Sequence, residues 1–250
     1  MPHKRGQTAE AENSDLMLTS VDIQPKRVII VLGPSSSGKT TLCNALAKEL
    51  GIPDARYIRE VARTVMKTQG FSRSDTATLE MQLAIMAAQA EAEASVLALA
   101  EPAPGEIVLL SDRSVIDPVI YASTAQGPNA QQTRLLLLSR RELTDAVPLY
   151  RRSLVVVLHP VQEWMVDDGI RSLEDPLRYN EVLIATLHEL GIRFVEMGES
   201  IRDINERVNF VKRCLEGRYV QYEAESDAPD TSVEKYRRVQ RVSSCRKTKY

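Results

Sequence analysis

The sequence predicts an α/β chain in which a five-stranded parallel sheet lies between two layers of helices. Two observations carry that prediction. Five short runs rich in apolar residues, at 28–32, 55–58, 106–111, 153–158 and 192–196, alternate with stretches of helical spacing, as in a parallel sheet covered on both faces. Between the first run and the first helix stands Gly33-Pro34-Ser35-Ser36-Ser37-Gly38-Lys39-Thr40, the pattern G-x-x-x-x-G-K-[ST] in strand-loop-helix context.

Residues 1–25 are polar and weakly acidic and read as a flexible lead-in to a domain spanning 26–216. Pro25 precedes the first strand, which delivers the Gly-rich loop at its carboxyl end. The following helix runs through Leu50, with Gly51 as C-cap and Pro53 as stop. The strand at 55–58 ends at Arg59-Glu60, so Glu60 stands where a second strand hands over to a loop. Ser74-Asp75 predicts the N-cap of a long helix whose core positions are Leu79, Leu83, Met86, Ala90, Ala94 and Leu97. On that helix Gln82 and Gln89 lie seven apart on one face. They admit two readings: a solvated face, which is the plainer one, or amides that read a base or another amide. The strand at 106–111 brings Asp112-Arg113-Ser114 to the same sheet edge, where open parallel sheets gather ligand groups.

Helices near 117–124 and 130–146 flank the break Gly127-Pro128-Asn129. The strand at 153–158 closes at His159-Pro160, and His159 reads as structural. Residues 161–177 mix Asp167, Asp168, Gly169 and Arg171, with Arg178 directly after, and read as a lid between strand and helix. A helix through Leu190 ends at Gly191, and a strand at 192–196 leads to a last helix at 201–215. Residues 217–250 read as a flexible tail, first acidic and then basic, with no acid after Glu234.

The Gly-rich loop points to a nucleoside triphosphate, because its backbone N–H groups and the helix N-terminus converge on an anion. The binding set is Gly33, Pro34, Ser35, Ser36, Ser37, Gly38, Lys39, Thr40 and Thr41, with Lys39 toward the β- and γ-phosphates and Thr40 on Mg²⁺. Asp112 suits the metal's surroundings, Arg113 would neutralise phosphate charge, and Arg171 would swing over the transferring group. A formal net charge of −2 gives no overall pull toward nucleic acid, and no nucleic-acid partner is expected. Cys43, Cys214 and Cys245 are scattered without metal-like spacing, which suits a reducing, intracellular and cytoplasmic setting. No membrane span or secretory segment is predicted. The basic end is read as solvated, with an anionic surface, a nuclear address or a protein contact as its other readings.

On residues 33–40, Arg59-Glu60-Val61-Ala62-Arg63, Asp112-Arg113-Ser114 with Asp117 and Tyr121, and Asp168 through Arg171, the chain resembles the P-loop NTPase "AAA domain" family that includes the ribosylnicotinamide-kinase half of NadR-type proteins. The likeness runs from about residue 27 to 216, without the adenylyltransferase half of those proteins. More distantly the chain is similar to nucleoside and thymidylate kinases. The resemblance implies a three-layer P-loop NTPase fold, ATP with Mg²⁺, and a small-molecule acceptor. It implies Glu60 as the carboxylate facing the acceptor hydroxyl, a general base, with Asp112 on the metal side, Arg113 on the phosphates and Arg171 in the lid. The parts of Glu60 and Asp112 are exchangeable at this stage. No NKxD-type guanine-reading sequence follows the fourth strand, which favours ATP over GTP. The expected function is therefore a kinase moving the ATP γ-phosphoryl to a hydroxyl of a nucleoside or riboside. The alternative is a nucleotide-dependent interaction or trafficking module with little chemistry, as some eukaryotic members of the family look to be. An ATPase motor fits less well, since no second carboxylate adjoins Asp112.

Overall fold

The structure, a computed structural model, describes residues 27–100, 102–125, 128–164 and 175–217. The lead-in, most of the segment read as a lid and the tail after Gly217 lie outside the described residues.

Strand β1 (Val28–Leu32) is buried at every position. Its side chains alternate between two cores: Val28, Ile30 and Leu32 join one, Ile29 and Val31 the other. That is the pattern of a central strand. Among the described residues the sheet has five parallel strands in the order β2-β3-β1-β4-β5, formed by β1, β2 (Tyr57–Ile58), β3 (Leu109–Asp112), β4 (Leu154–Leu158) and β5 (Phe194–Met197). Helices α1 (Lys39–Glu49) and α8 (Ile204–Leu215) cover one face. The other is covered by α3 (Leu79–Leu97), α4 (Asp117–Thr124), α5 (Ala130–Leu138), α6 (Arg141–Tyr150) and α7 (Pro176–Glu189), with α2 (Val61–Gln69) against α3. The three-layer expectation holds. No helix among the described residues is long and apolar enough to cross a membrane.

Several boundaries move for local reasons. Strand β2 begins only at Tyr57, because Pro53 leads into a 3-10 turn at Asp54–Arg56 in which Arg56 N donates to Pro53 O (2.8 Å). Strand β3 starts at Leu109 rather than at 106, since Glu106 closes a turn: its N donates to Ala103 O and its carboxylate accepts from Ala103 N. The loop expected after Glu60 is in fact helix α2, whose Ala62, Val65 and Met66 pack under α3. The N-cap of α3 is Thr78, not Ser74-Asp75. Asp75 instead accepts from Ser72 N and Oγ (2.7 Å each) and stabilises the turn before it. The long helix expected at 130–146 is two helices, broken where Arg140 adopts an extended backbone. Strand β5 starts at Phe194, and α8 at Ile204, where Asp203 caps it by accepting from Asn205 N and Glu206 N (2.8 and 3.0 Å).

The buried side of α3 also differs from the predicted stripe. Met81, Gln82, Ile85, Met86, Gln89, Glu93 and Val96 are buried, while Leu97 is exposed. A solvated face for Gln82 and Gln89 is therefore ruled out: they are 1% and 2% exposed.

Candidate functional site

The loop after β1 owes its shape to its small residues. Gly33 has φ +141°, and a Cβ there would lie 2.6 Å from the backbone oxygen of Leu158 on β4. Ser36 and Gly38 also have positive φ, at 59° and 86°, which turns the chain back on itself before α1. Gly33→Ala is expected to lose about 1–3 kcal/mol of stability, from a disfavoured backbone region plus a clash with a strand that cannot yield. A urea-unfolding midpoint equal to the parent's would contradict this.

Lys39 is the first residue of α1 and is 5% exposed. Its Nζ donates to Pro34 O within the loop and lies 3.5 Å from Ser37 Oγ. Burial, helped by the Arg113 charge, pushes its ammonium down to about 7, against the pull of Asp112, Asp117 and Glu60. Thr40 Oγ1 donates to Asp112 Oδ2 at 2.5 Å. Asp112 ends β3 fully buried, its carboxyl is pushed up by burial, and its Oδ1 has no hydrogen-bond partner. An orphaned carboxylate oxygen beside a threonine hydroxyl fits a hard cation, and a concave loop of turned backbone with a poorly solvated ammonium fits a polyphosphate.

Around Arg113 the sequence-named residues form an ion-pair lattice. Its Nε donates to Glu60 Oε1 (3.0 Å) and its Nη1 to Asp117 Oδ1 (2.7 Å), with Arg113 and Asp117 nearly buried and Glu60 mostly so. Glu60 Oε2 in turn accepts from Arg63 Nε at 2.6 Å. Asp117 is also held by Tyr179 OH (2.9 Å) and Ser114 N (3.1 Å). Burial opposes the Arg113 charge, yet Tyr121, Glu60 and Asp117 raise its pKa beyond the ordinary arginine value. Its backbone is unusual too: φ is +84°, fixed by Arg113 N donating to Val31 O (3.1 Å) and Ser111 Oγ donating to Arg113 O (2.8 Å). Strained non-glycine backbone of this kind concentrates at functional sites.

Lys39, Thr40, Glu60, Asp112 and Arg113 thus meet at the carboxyl edge of β1, β2 and β3. Arg171 and Asp168 lie outside the described residues. Arg178 is exposed on α7. His159, which the sequence reading leaves out of the site, pairs with Glu196 on β5 (2.6 Å).

A pocket opens beside the lattice, lined among others by Thr76, Gln82, Gln89, Arg113, Asp117 and Tyr121. Tyr121 OH is 3.3 Å from Ser35 Oγ and its ring meets Tyr179 edge-on, which links the pocket wall to the loop. Arg63 and Tyr179, given no role in the sequence analysis, belong to the lattice; Arg63, quoted there only within the Arg59–Arg63 motif, follows Glu60 by three residues at the start of α2. Arg207 had no local signal. From α8 its guanidinium donates to Ser37 O (3.1 Å) and Ile201 O (2.8 Å) and lies 4.6 Å from the Trp164 ring centroid.

Among solved structures, the chain is similar to the NadR protein in complex with NR, at 20% identity and a TM-score of 0.55, with 77% of this chain and 49% of that one covered. It is also similar to thymidylate kinase from Candida albicans, at 18% identity and a TM-score of 0.51, with 78% and 92% covered. At these identities the likeness is one of fold, and the chain spans about half the length of NadR. No curated protein matches it. A family model described as "AAA domain" matches residues 28–207. Taken with the Gly-rich loop at the edge of a five-stranded parallel sheet, that match shows that the chain belongs to the AAA domain family, P-loop NTPases that share a fold with kinases.

Proposed function

We propose that this chain is a small-molecule kinase that moves the γ-phosphoryl group of ATP to a hydroxyl of a nucleoside or riboside. The observation that carries the reading is the convergence of Lys39, Thr40, Asp112, Glu60 and Arg113 on one sheet edge, beside a pocket whose wall includes Gln82, Gln89, Asp117 and Tyr121. An NTPase that only hydrolyses or switches has no need of the pocket.

In this reading residues 33–41 grip the triphosphate, and Lys39 offsets charge at its β- and γ-groups. Thr40 and Asp112 would hold Mg²⁺, which supplies charge neutralisation across the transferring phosphate. The acceptor lies in the pocket between α2, α3 and α4. Glu60 has both carboxylate oxygens engaged by guanidinium groups, so its main task is to orient the hydroxyl. That suffices, because phosphoryl transfer gains most from positioning and electrostatics. Arg113 fixes Glu60 and contributes positive charge to the edge.

The test is a panel of nucleosides and ribosides incubated with labelled ATP and Mg²⁺. Transfer of label to one of them supports the reading, and slow hydrolysis alone across the whole panel overturns it in favour of a nucleotide-dependent interaction module. With the acceptor in hand, Glu60→Gln is expected to lower kcat by about a hundredfold, the scale of a misplaced acceptor, with ATP affinity nearly intact. Loss of ATP binding instead would move Glu60 to the nucleotide side.

A further inference from the structure

Glu93 is a carboxylate in the wrong place for a surface helix residue. It lies on α3, is 4% exposed, and no basic group pairs with it in the described structure. Its oxygens accept from Tyr150 OH (2.8 Å each) and from Gln89 Nε2 (2.9 Å). Gln89 Nε2 donates its other hydrogen to Ser111 Oγ (3.0 Å), whose own hydrogen goes to Arg113 O. Tyr150 OH, having given its proton to Glu93, accepts from Val115 N (3.2 Å). Every donor has one acceptor, and only one assignment of the Gln89 amide satisfies the set. Flipped, its carbonyl oxygen would face the Glu93 carboxylate and a hydroxyl whose proton is already committed.

We propose that Glu93 is a positioning residue whose buried carboxylate turns both N–H groups of Gln89 away from the pocket, leaving the Gln89 carbonyl oxygen to select acceptor molecules that carry an amino or amide N–H donor. This rests on reading the pocket as the acceptor site. Gln82 works in the same direction. Its Nε2 donates to Thr76 O (2.5 Å), and its buried Oε1 has no protein partner. Gln89 has spent both its N–H groups and Gln82 one of its two, so the two amides on this pocket wall offer carbonyl oxygens more than donors. A ligand presenting its own carbonyl there would leave three oxygens facing one another without a proton, which costs discrimination energy.

The groups facing Glu93 are Gln89 on its own helix, Tyr150 from α6 and Asp117 from α4, the last a like charge. Burial, with that carboxylate, pushes the Glu93 carboxyl up to about 7, against the hydrogen bonds from Gln89 and Tyr150. Once protonated, Glu93 has a hydrogen to give to a flipped Gln89 carbonyl, and the constraint lifts. Selection therefore strengthens as pH rises through 7.

The test uses the full chain with ATP and two probes that differ in the edge they present, cytidine (amino) and uridine (carbonyl), at pH 8.5. The parent is expected to prefer cytidine. Glu93→Gln, which keeps the shape and offers an N–H₂ to a flipped Gln89, is expected to shrink the cytidine-to-uridine ratio of kcat/KM by about five- to tenfold, mostly through KM. In the parent the same ratio falls between pH 8.5 and 6. The second measurement needs neither variant nor acceptor: the side-chain ¹⁵N–¹H₂ resonances of Gln89 in the labelled parent are expected to titrate with a midpoint near 7. A Gln89 signal indifferent to pH, or a ratio unchanged in Glu93→Gln, overturns the inference. A titrating Gln89 signal in a protein that phosphorylates no nucleoside or riboside supports the Glu93–Gln89 link and overturns the acceptor reading alone.

Discussion

Lys39→Ala is expected to reduce phosphoryl transfer from ATP by at least about a hundredfold, the scale seen when one preorganised donor to developing charge is removed. The reason is visible in its surroundings. Its ammonium is buried within the loop, where a charge has little water to screen it, so whatever it contacts there feels it strongly. The same burial holds its pKa near 7, which gives the prediction a pH signature. Binding a polyphosphate favours the charged form, so above pH 7 the loop must take up a proton to bind. Proton uptake measured by calorimetry at pH 8, in buffers of different ionisation heat, should be larger for the parent than for Lys39→Ala. Equal uptake in the two proteins, or equal transfer rates, would remove Lys39 from the phosphate site. For stability alone the sign is the reverse of the usual ion pair: a lysine with a depressed pKa burdens the fold below 7 and ceases to do so as pH climbs toward 10.5.

Arg113→Leu carries the largest expected cost to stability, about 3–5 kcal/mol. The leucine leaves Glu60 and Asp117 facing each other across a mostly buried space without the guanidinium that both now accept from. It must also adopt φ near +84°, where a branched side chain is strained. Replacing all three residues by apolar ones of similar volume is expected to recover most of that loss, since it removes the two buried carboxylates together with the guanidinium they share. A thermal or urea melt that moves little in Arg113→Leu would show that the two carboxylates find other partners, and the lattice would then not be what holds α2 and α4 at the site.

Much of this arrangement is legible without coordinates. The Gly-rich motif fixes a strand, a turn and a helix in a row, and apolar runs of four to six residues bring their last members to one edge, so Lys39, Thr40, Glu60 and Asp112 are placed together by topology. Helix α3 is where that reasoning weakens. It is apolar almost all round, so spacing does not choose a face, and two glutamines on it look equally at home in water or in a pocket. Glu93 is hidden by a sound prior, that charged residues point outward. Its burial depends on Tyr150, 57 residues away, offering a hydroxyl at the right height. Helix α2 was within reach, for Ala62, Val65 and Met66 have helical spacing, but the segment is short and follows a two-residue strand.

Arg207 ties the beginning of the fold to its end, reaching a carbonyl 170 residues earlier in the chain. Within the domain the Gly-rich loop is made early, and the guanidinium that contacts it comes 170 residues later, on the last described helix. A nascent chain therefore carries the motif well before it carries a finished cradle, and ligand cannot reward folding of the early half alone. The loop is completed only when the closing helix of the domain has been made.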